Sequence, residues 1–151
     1  MKANEIINLS NKSFTKKEVT VYCQDVAYTV VIDNQFRETV IMELIDEFMK
    51  RSDYCAKHNL KFDIMQNMYI LMIKHFTDIK FNTYKSTEKQ YSHDLDVVKS
   101  LIDLGLFKQI IEAFDPKEVE KIGVVLERCK TNVKVIANRI MAQELEQESE
   151  A

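Results

Sequence analysis

The sequence contains very little glycine and proline. Only two glycines and one proline occur among its 151 residues. An all-β fold needs many tight turns, which these residues commonly form, so their scarcity argues against that architecture. It favours long helices joined by few breaks. The two glycines, Gly105 and Gly123, are also isolated from each other, which excludes most glycine-rich loops that cradle phosphate groups.

The chain also lacks a long apolar run and an export signal. No run of apolar residues is long enough to span a membrane, so no membrane partner is expected. The first five residues, 1–5, lack the apolar core of a signal peptide. We therefore expect a cytoplasmic protein in which the three cysteines are reduced thiols.

Motifs for metal binding and catalysis are missing as well. The histidines His58, His75 and His93 share no helical i, i+4 relation, and no cysteine pair has zinc-site spacing. Cys55 and His58 could form a thiol–imidazole pair, but two ordinary residues at a helix end explain them better. Carboxylates such as Asp94 are predicted to lie on polar faces. We expect no metal, no cofactor and no enzyme activity, although distant residues can also assemble a catalytic site.

Charge and composition limit the classes of partner. The net charge is −3, hydrophobic residues make up 46% and charged residues 30% of the chain. Nucleic-acid binders gain most of their affinity from basic surfaces, so no nucleic-acid partner is expected. The composition is that of one ordinary globular domain. We place that domain at residues 18–143, between an extended N-terminal arm at 1–17 and a fraying acidic tail at 144–151.

A β-hairpin is predicted at the start of the domain. Residues 19–23 alternate and are rich in β-branched side chains, and residues 26–32 form a second such run after the two-residue turn Gln24-Asp25. A lone hairpin is marginally stable, so it must pack on helices or pair with another strand. An open hairpin edge is a candidate surface for homo-oligomer formation. The residues assigned to this self-association are Phe14, Val19, Val21, Tyr28 and Val30.

About five helices are predicted after the hairpin, which makes the fold mainly α with a small β part (α+β). Apolar stripes place them at about 34–57, 64–76, 87–104 and 106–114, and from 116 onward. Capping boxes are predicted at Asp63 with Gln66, at Thr87 with Gln90, and at Asp115 with Glu118, and Gly105 is predicted to end the third helix. The last helix is predicted to be long, with a near-heptad stripe of Val119, Ile122, Leu126, Cys129, Val133, Ile136 and Ile140.

The second helix carries the richest apolar stripe. Unbranched methionine side chains adapt to irregular partners, so a methionine-rich surface suits a groove that binds an apolar helical client protein. Core packing is the alternative, because stripes with this spacing are usually core. The residues of the predicted protein-binding stripe are Met65, Met68, Tyr69, Met72 and Phe76.

The layout resembles a known family. A hairpin at 19–32 precedes the helix start at 36–38, followed by Lys-His-Phe-Thr-Asp-Ile at 74–79, Leu-Ile-Asp-Leu-Gly-Leu-Phe at 101–107, and a long C-terminal helix. This pattern, over residues 19 to about 140, resembles the tail assembly chaperones of tailed phages of Gram-positive bacteria. The resemblance implies a non-catalytic cytoplasmic protein that self-associates, coats the helical tape-measure protein and is absent from the finished virion.

Two other functions fit the sequence less well. A phage structural protein, such as a head–tail connector, would also form oligomers. A small DNA-binding regulator would use the third and fourth helices, joined through Gly105, as a helix-turn-helix. Its recognition helix would offer only Lys108 and Gln109 to the bases, which is few for that role.

Overall fold

The computed structural model describes the backbone of residues 1–150, and the side chains within 131–137 and 146–150 lie outside the described part. The mainly helical class with an N-terminal hairpin is confirmed. More helices are present than the five predicted, because one precedes the hairpin. The elements are α1 (Ala3–Ser13), β1 (Lys16–Cys23), β2 (Val26–Asp33), α2 (Glu38–Lys57), α3 (Ile64–Phe76), α4 (Thr87–Asp103), α5 (Phe107–Ala113) and α6 (Pro116–Glu150).

The hairpin has the predicted turn and pairing. Strands β1 and β2 are antiparallel, with Val19 opposite Val30. Gln24 and Asp25 form the two-residue turn with φ values of 49° and 64°, a left-handed conformation that suits the twist of a hairpin. Residues opposite each other lie on the same face, and part of one face is buried in the core. Its buried residues are Val21, Val30 and Ile32.

Both edges of the hairpin form hydrogen bonds with residues outside the sheet. On the β2 edge, the backbone N–H of Val31 donates to Asp78 Oδ1 at 2.9 Å, and the Asp78 N–H donates to the Val31 carbonyl at 3.0 Å. On the β1 edge, the amide group of Gln109 binds the backbone N–H and carbonyl of Tyr22, both at 2.9 Å. These bonds hold the hairpin to the helices and leave less open edge than the sequence predicted.

The predicted extended arm contains a helix. Helix α1 spans Ala3–Ser13 and buries none of its residues. Arg37 attaches its C-terminal end, because Nη1 donates to Ser10 Oγ at 2.7 Å and the guanidinium lies 4.6 Å from the ring centroid of Phe14. The helix is amphipathic, although its apolar side chains Ile6, Ile7 and Leu9 are all exposed.

Helix α2 begins later than predicted because Phe36 enters the core. Its ring stacks on Phe76 with centroids 3.8 Å apart and meets Phe114 edge-on at 5.7 Å. The backbone N–H of Phe36 donates to Glu118 Oε1 at 2.9 Å. The backbone before Glu38 is therefore fixed by long-range contacts, and the helix does not begin at about residue 34 as predicted.

The predicted helix boundaries agree with the structure where they depend on a few adjacent residues. Asp63 Oδ1 accepts from the Gln66 N–H at 3.0 Å at the start of α3. Gly105 has φ 72° after α4, the left-handed conformation that ends a helix. Asp115 caps α6 as predicted, but Glu118 turns to Phe36 instead of closing the capping box.

Two sequence predictions for α6 concern residues whose side chains are not all described. The stripe positions Val133 and Ile136 lie outside the described side chains. Residues 144–150, predicted to fray as an acidic tail, form the end of α6.

Candidate functional site

The predicted protein-binding stripe on α3 does not form one surface. Met72 and Phe76 are 3% and 0% exposed and belong to the core, so the core alternative applies to them. Met68 and Tyr69 are half-buried, and the Tyr69 ring meets Phe107 edge-on at 5.3 Å. Only Met65, 58% exposed, is freely open to a partner.

The residues predicted for self-association are likewise divided between core and surface. Val21 and Val30 are buried beneath the hairpin, whereas Phe14 and Val19 are half-buried. Tyr28 is exposed near the turn. The core thus takes up Val21 from β1 and Val30 from β2, while Tyr28, which lies opposite Val21, stays exposed.

An apolar groove runs between α2 and α6. Met42, Ile45 and Met49 are spaced three and four residues apart on α2, so they lie in one row. Met42 and Met49 are 54% and 47% exposed, while Ile45 forms the buried floor. Leu126 and Cys129 of α6 form the opposite wall. This α2–α6 groove has a volume of about 460 Å³ and is lined by Met42, Ile45, Asp46, Met49, Leu126, Cys129 and Lys130.

The sequence did not indicate the α2–α6 groove. Met49 falls within the apolar stripe of α2, and the spacing of that stripe predicts that Met49 is buried in the core. Whether that stripe is covered depends on where α6 crosses it, and periodicity carries no information on that contact. The signal that could have been used is the width of the stripe: Met42 extends the row of Ile45 and Met49 along one edge of the stripe, which makes the stripe too wide for one neighbouring helix to cover.

Helix α6 presents further apolar side chains beyond the groove. Its 35 residues extend about 52 Å, whereas the 20 residues of α2 extend about 30 Å. The described apolar side chains toward its C-terminal end are exposed. They are Ile140, Met141 and Leu145.

A charged cluster lies between α2, α3 and α4. Arg51 and Asp94 are 2% and 0% exposed and form an ion pair through Arg51 Nη2 and Asp94 Oδ2. Lys74 Nζ lies 3.3 Å from Asp94 Oδ2 and 2.9 Å from Glu47 Oε1. His75 Nε2 donates to Glu47 Oε2 at 2.7 Å. Three helices are therefore connected by charge-assisted hydrogen bonds.

The cluster corrects two expectations from the sequence. Asp94 was predicted to lie on a polar face, yet it is buried, because Arg51 and Lys74 compensate its charge. Gln90 was predicted to cap α4 together with Thr87. Ser86 caps the helix instead, and Gln90 Nε2 donates to Asp94 Oδ1 at 2.8 Å.

The cluster strongly favours the ionised form of Glu47. Burial opposes ionisation, but hydrogen bonds from His75 and Lys74 and the charges of Lys74 and Arg51 outweigh it and lower the pKa of Glu47 from 4.5 to about 2. Each charged group thus forms an ion pair with another group of the cluster, which suits a structural role. In the described part of the chain, no three His, Cys, Asp or Glu side chains are arranged to hold a metal ion.

Comparison with known proteins identifies one family. The YomO family matches residues 3–151, which include the hairpin and all the helices described above. The chain belongs to the YomO family. This family is phage-associated, which points to a phage origin. No curated protein and no solved structure matches the chain. Among the described residues of this YomO family chain, no helix has the length and apolar character needed to cross a bilayer.

Asp94→Asn is expected to lower the free energy of unfolding by about 3–5 kcal/mol, because it leaves Arg51 buried without its counterion. Urea denaturation measures the change. Asp96→Asn, on the exposed side of the same helix, is the matched control and is expected to stay within about 0.5 kcal/mol of wild type. Equal stability of the two variants would contradict a structural role for the ion pair.

Acid is expected to weaken the cluster through Glu47. Its folded-state pKa lies below the usual value, so it stabilises the fold above about pH 5, and this contribution is lost as pH falls toward about 2. Glu47→Gln is expected to be less stable than wild type at neutral pH, with the gap narrowing as pH approaches 2. Denaturant titrations at several pH values measure the gap. The exposed neighbour Glu43→Gln should follow the wild-type pH profile, and a gap for Glu47→Gln that stays constant with pH would refute the expectation.

Proposed function

We propose that this YomO family chain is a non-catalytic phage assembly protein that binds an apolar helix of a client protein. The α2–α6 groove is the observation that carries the proposal. Two of its methionines are about half exposed on a surface that continues directly into the core through Ile45. Exposed, contiguous apolar surface of this kind marks sites of protein interaction.

The chemistry of the groove suits an amphipathic helix. Methionine side chains adjust to partners of different shape, and Leu126 with Cys129 supplies a second apolar wall. Asp46 and Lys130 bring one negative and one positive charge to the lining. Such a lining can hold the apolar side chains of a helix while its charged residues meet the polar groups beside it.

The finer proposal is a tail assembly chaperone whose client is the tape-measure protein. Its support is the combination of phage association, the apolar groove, and the exposed apolar residues on α6. We place the protein in the host cytoplasm during assembly and outside the finished virion. Self-association would cover Ile140, Met141 and Leu145, because exposed apolar residues along one helix favour pairing with another helix.

A phage structural subunit remains the second candidate, supported by the same exposed face of α6. It predicts the protein in purified virions at fixed stoichiometry, which mass spectrometry can detect. A DNA-binding role has less support, because Gln109 of the predicted recognition helix is bound to the backbone of Tyr22. Lys108 is then its remaining candidate for contacting bases.

Substitution of Met49 by Asp is expected to weaken binding of a helical tape-measure fragment by at least about tenfold, since a charge in the apolar groove must be desolvated on binding. Isothermal titration calorimetry measures the affinity. Met65→Asp is the matched control, because Met65 is also about half exposed but lies on α3, outside the groove. Its affinity is expected to equal that of wild type.

Thermal unfolding of both variants checks that the fold survives. If Met65→Asp weakens binding and Met49→Asp does not, the binding surface lies on α3 as the sequence predicted. If neither folded variant changes the affinity, the α2–α6 groove is not the client site.

A further inference from the structure

The apolar stripe of α6 continues beyond the part of the helix that packs against α2. Ile140 follows Leu126 by 14 residues and Cys129 by 11, close to four and three helical turns, so it lies on the same side of α6 as the groove wall. Ile140, Met141 and Leu145 are 51%, 62% and 66% exposed. These three residues form an apolar C-terminal ridge on the helix whose first half forms a wall of the α2–α6 groove.

The C-terminal ridge cannot reach the groove of its own molecule. Residues 116–150 form one continuous helix, so a rise of 1.5 Å per residue holds Met141 about 18 Å from Cys129 along the axis. A ridge and a groove that are separated along one rigid helix can meet only through another molecule. The ridge can therefore fill only the groove of a second copy.

A two-fold antiparallel dimer joins both pairs of surfaces at the same time. When two α6 helices lie side by side in opposite directions, the ridge of each copy lies beside the groove of the other. Residues 126–145 then overlap over about 30 Å. Met42 and Met49 border the groove from α2, and their flexible side chains can pack around an inserted Ile140 and Met141.

The charges along α6 favour the antiparallel direction. Residues 116–130 include four basic and three acidic residues, whereas residues 138–150 include one arginine and four glutamates. Antiparallel pairing places the acidic end of each copy beside the more basic first half of the other. Parallel pairing would place the two acidic ends together, and like charges that face each other oppose association.

We propose that, when no client is bound, the C-terminal ridge of a second copy occupies the α2–α6 groove in a two-fold antiparallel dimer. Client and second copy then compete for one apolar surface. The competition rests on the proposed client function, whereas the dimer does not.

The proposed contact is small, which makes the dimer depend on protein concentration. It involves a few apolar side chains in each copy, and interfaces of this size are typical of weak, transient complexes. We expect a dissociation constant in the micromolar range. At submicromolar protein concentration the groove is therefore open, and protection of Cys129 then reports binding of the client alone.

A disulfide bond between copies tests the position and direction of the pairing. Met141→Cys adds a thiol on the ridge, and Cys129 supplies the thiol in the groove. The two positions are too far apart within one copy for a disulfide, so a bond between them joins two copies. We expect oxidation by glutathione disulfide at high micromolar protein concentration to link position 141 to Cys129, as identified by mass spectrometry of the peptides. Ala142→Cys, exposed on another side of α6, is the matched control and should not form this bond.

Sedimentation velocity measures the dimer and its competition with the client. We expect wild-type protein to be dimeric at high micromolar concentration. Met141→Asp is expected to raise the dissociation constant at least about tenfold, because its charge is desolvated in the groove. Ala142→Asp, which adds the same charge at the next position, is expected to leave it unchanged. A saturating helical tape-measure fragment should convert the dimer into complexes that contain one copy of this chain.

Four results would overturn the proposal. Wild-type protein that stays monomeric at high micromolar concentration removes the dimer, while the client affinity from calorimetry decides the proposed function separately. A bond between the two positions 141, in place of the bond to Cys129, shows that the ridges meet each other. Equal dissociation constants for Met141→Asp and Ala142→Asp remove the role of the ridge. A client complex in which the bond from position 141 to Cys129 still forms shows that client and second copy occupy different surfaces.

Discussion

The buried ion pair between Arg51 and Asp94 connects the helices on which the candidate sites depend. It joins α2 to α4, and Lys74 brings α3 into the same cluster. A charged pair of this kind requires close geometry, because its desolvation is only offset when the charges and hydrogen bonds are well matched. The pair therefore fixes how α2 is rotated. With Arg51 turned toward α3 and α4, the row containing Met42 and Met49 is left at the surface beside α6.

This rotation of α2 explains why one helix contributes to two different surfaces. Its Arg51 side borders a pocket between α2, α3 and α4, and its methionine side borders an apolar groove. The first surface has aromatic walls formed by Tyr54 and Tyr91. The second offers adaptable apolar area, which suits a helix.

Features encoded by neighbouring residues were predictable from the sequence. The Asp63 cap, the left-handed Gly105 and the alternating hairpin strands each depend on a few adjacent positions. Features decided by distant partners were not. The late start of α2 depends on a bond between Phe36 and Glu118, 82 positions apart. The sequence predicts Asp94 to be a surface residue. Its burial depends on an ion pair with Arg51, which is 43 positions away. Likewise, a methionine stripe does not reveal which of its rows another helix will cover.

The central claim, that a client helix lies in the α2–α6 groove, is tested most directly at Cys129. This thiol lines the groove, so a bound client helix should shield it. The measurement is the alkylation rate of Cys129, with Cys55 as internal reference, with and without a saturating helical fragment of the tape-measure protein. The account predicts that the complex slows alkylation of Cys129 and leaves Cys55 unchanged. A complex that forms while Cys129 reacts at its free rate would contradict it.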